Sequence, residues 1–377
     1  MTRRSTQIAA AVVLAGILAL LAVGLLRNRQ PTLFVQHPVA VMGTDCTLQV
    51  VAPAGKASRA RLALATAEAE LRRVEARMSV HLDSTELARF NAAPAKFRVS
   101  LSGQTLDVLQ AARRAHRDTG GAFDVTCRPL IELWKLAARE GRLPTPDEIA
   151  QARAQSAWDQ ITLEPNAALK SADTACVDLG GVAKGYAVDQ AASAMIAAGI
   201  RGGVVEVGGD LRCFGTRPDG QPWRVAVRHP FGTTPGDRLA TLALADRAVC
   251  TSGNYARYVE IQGRRYSHII DPRPGPHMGI PAEAAPSVTV IAPACITADI
   301  WATALSVLGS DGLRLLPPDA HIEAMVVEGT ADDFHIRMTD GFTKFLEDAP
   351  ATTRPAAAAS QPYTAATPHQ APPSEGR

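Results

Sequence analysis

A glycine pair between a short, mostly apolar run and an alanine-rich segment constrains the fold of this chain more than any other feature. Residues 176–179 precede Gly180 and Gly181, and residues 182–198 lack proline. The pattern predicts a buried strand, a turn in which glycine takes backbone angles closed to other residues, and a helix. The unpaired N–H groups at the start of that helix favour an anion.

Two charged residues flank this glycine pair. Lys184 would add a positive charge to the first turn of the helix, and Asp178 would accept a hydrogen bond from the same ligand. A glycine-rich connection with a solvated lysine is the alternative interpretation, and the stretch alone does not separate the two. The stretch matches neither a Walker A loop nor a G-x-G-x-x-G fingerprint, so it predicts no nucleotide-binding fold.

The two ends of the 377-residue chain differ in composition from its middle. Residues 8–26 carry no charge and lie between arginines, and a helix of this length rises about 28 Å, close to the hydrocarbon thickness of a bilayer. We predict a membrane anchor or a signal segment in residues 1–30, and we favour the anchor because no A-x-A cleavage site follows. Residues 348–377 are rich in Pro, Ala, Thr and Ser, which predicts a disordered tail and leaves residues 36–347 as one folded domain.

The composition describes an ordinary globular protein and argues against some classes of partner. Hydrophobic residues make up 46% of the chain, charged residues 20%, and the formal net charge is +2. Scattered arginines and few aromatic residues argue against a protein that binds nucleic acid. The six cysteines include no C-x-x-C pair, so no zinc site is predicted, whereas disulfides and buried thiols both remain possible.

Hydrophobic periodicity predicts helices in blocks between strands. Apolar residues recur every three or four positions in residues 58–78 and 101–118, as in amphipathic helices. Residues 39–52 predict two short strands, and residues 258–263 with 265–271 predict a hairpin. Because no regular β-α repeat occurs, we predict an α+β fold with mixed, largely antiparallel sheets and inserted helices.

Acidic and hydroxyl side chains accompany the glycine pairs and one later helix. Asp124 follows a second glycine pair and would be costly to bury without a role, and Asp210 follows a third pair. Asp299 and Thr303 are four residues apart and share a helix face. Such oxygen donors suit Mg²⁺, usually together with phosphate oxygens, so we predict a phosphate-bearing ligand with a hard metal. His268 is the best candidate base, with a structural histidine as the alternative.

Eight short motifs follow one another along the chain. They are MGT at Met42, MSxxxxxxExxxxN from Met78 to Asn91, GGAFDVT at Gly120, DLGGVAKGYAVD at Asp178, EVGGDL at Glu206, TSGNY at Thr251, YSHIIDPRPG at Tyr266 and TADIWATAL at Thr297. Together they resemble the ApbE family of FAD:protein FMN transferases. The resemblance covers nearly everything between residues 39 and 346.

This resemblance implies an architecture related to the T-fold and an exported, Mg²⁺-dependent enzyme. Members of the family cleave FAD, attach FMN through a phosphoester bond to a threonine of an acceptor flavoprotein, and release AMP. The acceptor would be a membrane redox subunit with a short Thr-containing motif. The enzyme would sit at the inner membrane through its N-terminal segment, with the catalytic domain on the periplasmic side of the bacterial envelope.

The resemblance also assigns roles to single residues. The residues that would line the flavin and adenine pocket are Met42, Ala122, Phe123 and Asp124. Asp178 and Lys184 would hold FAD, and His81 stands where the family often has a tyrosine that faces FAD. The Mg²⁺ ligands would be the carbonyl of Gly181 and the side chains of Asp299 and Thr303. His268 lies in the motif that approaches the reacting phosphate, and we take it as the base that deprotonates the acceptor threonine.

Two further functions remain open from the sequence. In the first, water replaces threonine and the protein is an FAD pyrophosphatase that yields free FMN and AMP. In the second, the protein is a non-catalytic, membrane-tethered FAD-binding assembly factor. Intact Asp299, Thr303 and His268 argue against the second.

Overall fold

An eight-stranded antiparallel sheet lies at the centre of the protein in the computed structural model, which describes residues 30–234, 236–253, 258–273, 279–282 and 285–351. In chain order the strands are β1 (Thr32–Gln36), β2 (Cys46–Ala52), β3 (Val99–Ser100), β4 (Ile161–Glu164), β5 (Ala167–Lys170), β6 (Gly202–Val207), β7 (Asp210–Phe214), β8 (Trp223–Arg228), β9 (Arg238–Leu244), β10 (Arg247–Gly253), β11 (Tyr258–Ile261), β12 (Arg264–Ser267), β13 (Ser287–Ala292), β14 (Glu323–Gly329) and β15 (Phe334–Met338). The strand order of the main sheet is β1-β2-β6-β7-β10-β13-β14-β15.

Seven α-helices lie in the described residues. They are α1 (Ala57–Met78), α2 (Glu86–Ala92), α3 (Gly103–Asp118), α4 (Arg128–Glu140), α5 (Pro146–Ala154), α6 (Ala183–Ala197) and α7 (Cys295–Leu308). Helix α6 packs between α1 and α7, and the three helices cover the main sheet, where they bury the largest apolar core. The second core fills the opposite face of the sheet, beneath the hairpin of β8 and β9.

A third, smaller core holds the β11–β12 hairpin in place. Leu130 and Trp134 of α4 pack with Ile261 of β11 and with Ile270. The Trp134 indole N–H donates to the carbonyl of Gly279 at 2.7 Å, which ties the helix to the chain that follows the hairpin. This group therefore forms a wall beside the main sheet, and that wall carries the chain that contains His268.

The α+β prediction is confirmed, and the predicted helices are present, with the one predicted at residues 182–198 forming α6. The helix predicted at residues 58–78 is α1, and the one predicted at residues 101–118 is α3, with Leu106, Leu109 and Ala112 buried as expected. Thr85 caps α2, since its side chain accepts from the N–H of Ala88 at 2.9 Å.

Two strand predictions are wrong in part. Of the two strands predicted at residues 39–52 only β2 forms, because Val41 and Thr44 make a single isolated bridge around a tight turn, and the first strand lies upstream as β1. Residues 176–178 form no strand. Val177 pairs with a side chain, since Asn91 donates to its carbonyl and accepts from its N–H, both at 2.8 Å. The N–H of Asp178 donates to the carbonyl of Val125 at 2.7 Å.

Some predictions fall outside the described residues or stay open. The predicted anchor within residues 1–30 lies almost wholly outside them, as does the predicted tail beyond residue 351. None of the helices in the described ranges is both long and apolar enough to cross a membrane. All six cysteines are described and all are free thiols, although the Sγ atoms of Cys250 and Cys295 lie 3.4 Å apart.

Candidate functional site

A cavity of 580 Å³ opens between the main sheet and the β11–β12 wall, a size typical of ligand sites. The start of α6 contributes Lys184 to its lining, and the first three turns of α7 contribute Asp299 and Thr303. The turn after β6 contributes Gly208, and the end of β10 contributes residues 251–253. The cavity thus collects the ends of several elements that the main core holds rigid.

Lys184 and two carboxylates form the charged centre of this cavity. The Lys184 ammonium contacts Asp210 directly and lies 3.8 Å from Oδ1 of Asp299. Burial disfavours the charge on Lys184, but Asp299 and Asp210 outweigh it and raise the pKa of the lysine above its ordinary value. Lys184 is therefore positive, and it partly neutralises the two acids around it.

Asp299 is 3% exposed and faces the cavity from near the start of α7. Burial, with a contribution from the nearby Asp210, raises its pKa to about 7 against the opposing effect of Lys184. Its Oδ2 accepts from the N–H of Gly185 at 2.9 Å. A divalent cation beside this group would favour its charged form.

Gly181 brings the chain before α6 against α7. A Cβ built on Gly181 would lie 3.2 Å from Oγ1 of Thr303 and 3.4 Å from the ring of Phe123, so a larger residue would push against both. Gly181 and Thr303 thus lie side by side, and Asp299, one turn before Thr303 on α7, lines the same cavity. Their carbonyl, hydroxyl and carboxylate oxygens are hard donors of the kind that Mg²⁺ binds.

The donor set is small, so it fits Mg²⁺ only with oxygens from elsewhere. In the described part of the chain, no three His, Cys, Asp or Glu side chains come together as a metal site. A single carboxylate, a hydroxyl and a backbone carbonyl leave coordination positions for water or phosphate, as is usual for Mg²⁺. The residues fit a cation that is shared with a phosphorylated ligand.

Asp178 shapes the turn before α6. Its Oδ1 accepts from the N–H of Gly180 at 2.8 Å, and its Oδ2 lies 4.0 Å from the guanidinium of Arg128. Neither Gly180 nor Gly181 has a positive φ, which corrects the expectation that this pair serves a left-handed turn. Instead, the missing side chain of Gly181 leaves room for Thr303 and Phe123, which approach it closely.

The other two glycine pairs do adopt left-handed angles. Gly120 and Gly121 have φ of 60° and 86°, and Gly208 and Gly209 have φ of 62° and 91°. The first pair follows α3 and the second follows β6. The residues directly after them, 122–125 and Asp210, line the cavity.

Comparison with known proteins identifies the family. The model of the ApbE family matches residues 42–326. This chain belongs to the ApbE family. It is 36% identical over 278 residues to the FAD:protein FMN transferase of Vibrio cholerae, which covers 73% of this chain and 82% of the relative. It is 34% identical over 293 residues to the protein of that name from Haemophilus influenzae, with coverages of 74% and 82%.

Solved ApbE structures share the fold. The flavin transferase ApbE from Vibrio cholerae superimposes with a TM-score of 0.74 and 32% identity, over 84% of this chain and all of that chain. The apo flavinyl transferase ApbE from Pseudomonas stutzeri gives a TM-score of 0.72 and 29% identity, over 85% and 98%. The α+β fold predicted from the pattern of helices and strands therefore agrees with the solved ApbE structures.

The cavity of this ApbE-family chain collects ten of the eleven residues predicted from the sequence. They are His81, Ala122, Phe123, Asp124, Asp178, Gly181, Lys184, His268, Asp299 and Thr303. Their individual roles remain predictions. His81 and His268 are exposed at the cavity surface, whereas Ala122 and Phe123 are buried.

Met42 is the predicted residue that is absent from the described lining. It has a φ of 52° and forms, with Gly43 at 67°, a tight turn closed by the N–H of Thr44 on the carbonyl of Val41. Thr44 packs against the backbone of Gly208, which does line the cavity. The flavin contact of Met42 stays a prediction.

Asp124 has the partners that its burial requires. Its Oδ1 accepts from the N–H and the hydroxyl of Thr126, both at 2.7 Å, and its Oδ2 lies 3.4 Å from Nδ1 of His116. Burial raises the pKa of Asp124, although these hydrogen bonds oppose the rise. Asp124 therefore faces the cavity as a fixed acceptor.

Sequence reasoning missed Lys170, which supports the chain beside Asp178. Lys170 is 2% exposed, and its ammonium donates to the carbonyls of Asn91 at 2.6 Å, Asp173 at 2.8 Å and Ala175 at 3.0 Å. Burial lowers its pKa. A lysine at the end of a short strand gives no sequence signal of this role.

Proposed function

We propose that this ApbE-family protein is an FAD:protein FMN transferase that requires Mg²⁺, attaches FMN to a threonine of an acceptor flavoprotein and releases AMP. The observation that carries the proposal is the single cavity, which joins a lysine, a buried acid and a hard oxygen donor set with an apolar wall. The similarity to FAD:protein FMN transferases of other bacteria supports the overall activity. The nature of the acceptor bond, the metal and the leaving group are proposed from the chemistry of the residues.

The residues that would hold Mg²⁺ are Gly181, Asp299 and Thr303. When bound, the metal supplies positive charge that offsets the charge of the FAD diphosphate. Lys184 supplies a second positive charge to the same group, and the partial positive charge at the start of α6 adds to it. Both are fixed before the ligand arrives, so they stabilise developing charge without reorganisation.

The proposed reaction replaces the phosphoanhydride bond of FAD with a phosphoester bond to the acceptor threonine. The threonine oxygen forms a bond to the phosphorus of the FMN half, and the anhydride bond to the AMP half breaks. His268 would take the threonine proton, because its exposure at the cavity surface lets a macromolecular acceptor reach it. Ala122 and Phe123 would pack against the flavin rings, whose apolar faces suit a buried wall.

We further propose that the protein is held at the inner membrane by residues 1–30 and acts on the periplasmic side. The long uncharged run at residues 8–26 supports this, as does the absence of a cleavage site after it. The acceptor would then be a redox subunit of the same membrane, with its Thr-containing motif exposed on that side.

Intact mass spectrometry tests the function. The full-length chain, in detergent, is incubated with FAD, Mg²⁺ and a candidate acceptor, beside the same acceptor with its target Thr replaced by Val. We expect the Thr acceptor to gain one FMN residue and the Val acceptor to gain none, with no gain in EDTA. An Asp299→Ala enzyme should lose the Mg²⁺-dependent gain.

The same experiment separates the alternatives. Free FMN and AMP with an unmodified acceptor would support the pyrophosphatase. Bound but intact FAD, with each of several Thr-bearing acceptors unmodified, would support a non-catalytic binding role and contradict the transferase.

A further inference from the structure

Asp189 is a buried carboxylate outside the described lining of the cavity. It lies on α6, one turn after Gly185, and is 8% exposed. Its Oδ1 accepts from the N–H of Cys295 at 3.0 Å and from the guanidinium of Arg212 at 2.7 Å. Its Oδ2 accepts from the N–H of Ile296 at 3.0 Å. A buried charge is tolerated when it is satisfied in this way.

Two of these donors are the first N–H groups of α7, the helix that carries Asp299 and Thr303. The first N–H groups of a helix have no partner within the helix, and a side chain normally caps them. The N-cap residue of α7 is Ala294, whose methyl group cannot accept a hydrogen bond. Asp189 therefore caps α7 from the neighbouring helix, and its negative charge suits the positive end of the α7 dipole.

The same two helices meet a second time at Gly185. A Cβ on Gly185 would lie 2.5 Å from the carbonyl oxygen of Cys295 and 2.8 Å from Cβ of Asp299, so the helices cross in backbone contact. The N–H of Gly185 donates to Asp299 in the same region. Two contacts one turn apart on α6 thus define the position of α7 along and around its axis.

We propose that Asp189 is a positioning residue for the cation site. By capping α7 from α6, it sets the separation between the Gly181 carbonyl, which precedes α6, and the side chains of Asp299 and Thr303 on α7. This inference rests on the cation site of the proposed function. Asp189 itself would not contact the metal or FAD.

Arg212 gives a matched comparison within the same group. It lies on β7 and bonds to Asp189 but not to α7 in the described contacts. Replacing Asp189 with Asn keeps the shape but places an NH₂ group against one of three donors, so at least one cap bond is lost. Arg212→Gln removes the charged partner and leaves both bonds from Asp189 to α7.

The first measurement is Mn²⁺ affinity by electron paramagnetic resonance, with the full-length protein and FAD present. The half-saturating Mg²⁺ concentration for FAD consumption and the KM for FAD are measured beside it. We expect Asp189→Asn to weaken Mn²⁺ binding and raise the Mg²⁺ requirement about 10- to 100-fold, the usual effect of losing a residue that orients metal ligands. The KM for FAD at saturating Mg²⁺ should change about twofold or less, in line with a role outside the FAD contacts. Arg212→Gln should have a smaller effect on Mn²⁺ affinity.

A substitution that restores the cap of α7 provides a second test of the proposal. Ala294→Ser adds an oxygen at the N-cap of α7, where the backbone is extended with φ of −124° and ψ of 143°, the conformation of a capping residue. In the Asp189→Asn background it should recover most of the lost Mn²⁺ affinity. Thr339→Val serves as the stability control, because it removes the hydroxyl bonded to the N–H of Ala324, outside the described lining. It should lower the Tm and leave the Mg²⁺ curve unchanged.

The outcomes separate this inference from the proposed function. A wild-type protein that neither binds Mn²⁺ nor consumes FAD would contradict the proposed function itself, and the inference with it. A normal wild-type protein with unaltered Mn²⁺ affinity in Asp189→Asn would overturn the inference alone. An equal loss in Arg212→Gln would do the same, because it would place the effect in the ion pair instead of the cap.

Discussion

His268 and Asp299 occupy contrasting environments within one cavity. His268 is exposed, although Ser267, Ile269 and Ile270 around it are buried. Asp299 is almost completely enclosed, and burial raises its pKa to about 7. The exposed imidazole suits contact with a protein acceptor, whereas the enclosed carboxylate suits an ion that is shielded from water.

Replacement of His268 by Ala should separate binding from transfer. We expect FMN transfer to fall at least about 100-fold, the usual contribution of a general base, while FAD affinity stays within a few-fold of wild type. Single-turnover mass spectrometry measures transfer, and quenching of flavin fluorescence measures binding. His335→Ala is the control, since His335 lies at the sheet edge beside Glu328. Transfer that survives unchanged in His268→Ala would remove the base assignment.

The sequence predicted the chemical residues of the cavity better than the residues that support them. Asp299 and Thr303 stand in a recognisable pattern four residues apart, and Lys184 follows a glycine pair. Lys170 and Asp189 support the cavity through bonds to backbone carbonyl and N–H groups of other segments, so no local sequence pattern indicates their roles. The motif at Met42 predicts a place in the pocket, but the Met42 side chain packs against the main core.

At the scale of elements, the crossing of α6 and α7 depends on Gly185. Adding a methyl group there would force the helices apart, because it would overlap the Cys295 carbonyl. We expect Gly185→Ala to lower the free energy of unfolding by about 1–3 kcal/mol, as overpacking usually does, and to weaken the Mg²⁺ response. Urea unfolding measures the first effect. Gly103→Ala is the control, since a methyl group there would meet no atom of the described residues within 4 Å; a similar loss in that variant would contradict the contact argument.

Glu86 joins α2 to the start of α3. Its Oε2 accepts from the N–H and hydroxyl of Ser102 at 2.8 and 2.9 Å and from the hydroxyl of Thr105 at 2.7 Å. Burial opposes ionisation, but these bonds and Arg77 lower the pKa of Glu86 below its ordinary 4.5. The ionised form therefore stabilises the fold above that ordinary value, and this stability is lost as the pH falls through the lowered pKa.

Glu86→Gln should make this dependence visible. We expect the variant to lose about 1–2 kcal/mol of unfolding free energy at pH 7, because the charge-assisted bonds become neutral ones. The difference from wild type should shrink as the pH falls below the ordinary pKa. Urea unfolding at several pH values measures it, with the exposed Glu140→Gln as control. A difference that stays constant with pH would contradict the role of the Glu86 charge.

Elements with strong local periodicity were predictable, and those defined by distant partners were not. Helices α1 and α3 follow from their apolar stripes. The small sheet of β3, β5 and β4 was not predicted, because β3 has only two residues and is a strand only through its pairing with β5. Residues 175–177 are apolar, as in a strand, yet Val177 pairs with the Asn91 side chain instead of with a neighbouring strand.

At the scale of the whole molecule, the proposed location can be tested by fractionation. Full-length protein should sediment with membranes, and a chain that lacks residues 1–30 should remain in the soluble fraction with unchanged FAD consumption. Protease added to intact spheroplasts should digest the full-length protein if its domain faces the periplasm. Protection of the protein from that protease would contradict the periplasmic orientation, and sedimentation of the shortened chain would contradict the anchor.

The strand order of the main sheet has a consequence for how this protein is made. The β1–β2 pair joins the sheet through β6, and the cavity needs side chains from His81 to Thr303, so its lining is complete only after most of the chain has been synthesised. A growing chain would expose unpaired strands until then, and pairings so distant in sequence form slowly. A polypeptide that stays unfolded late in translation is also one that a secretion channel can thread, whereas a domain that closed early would block it.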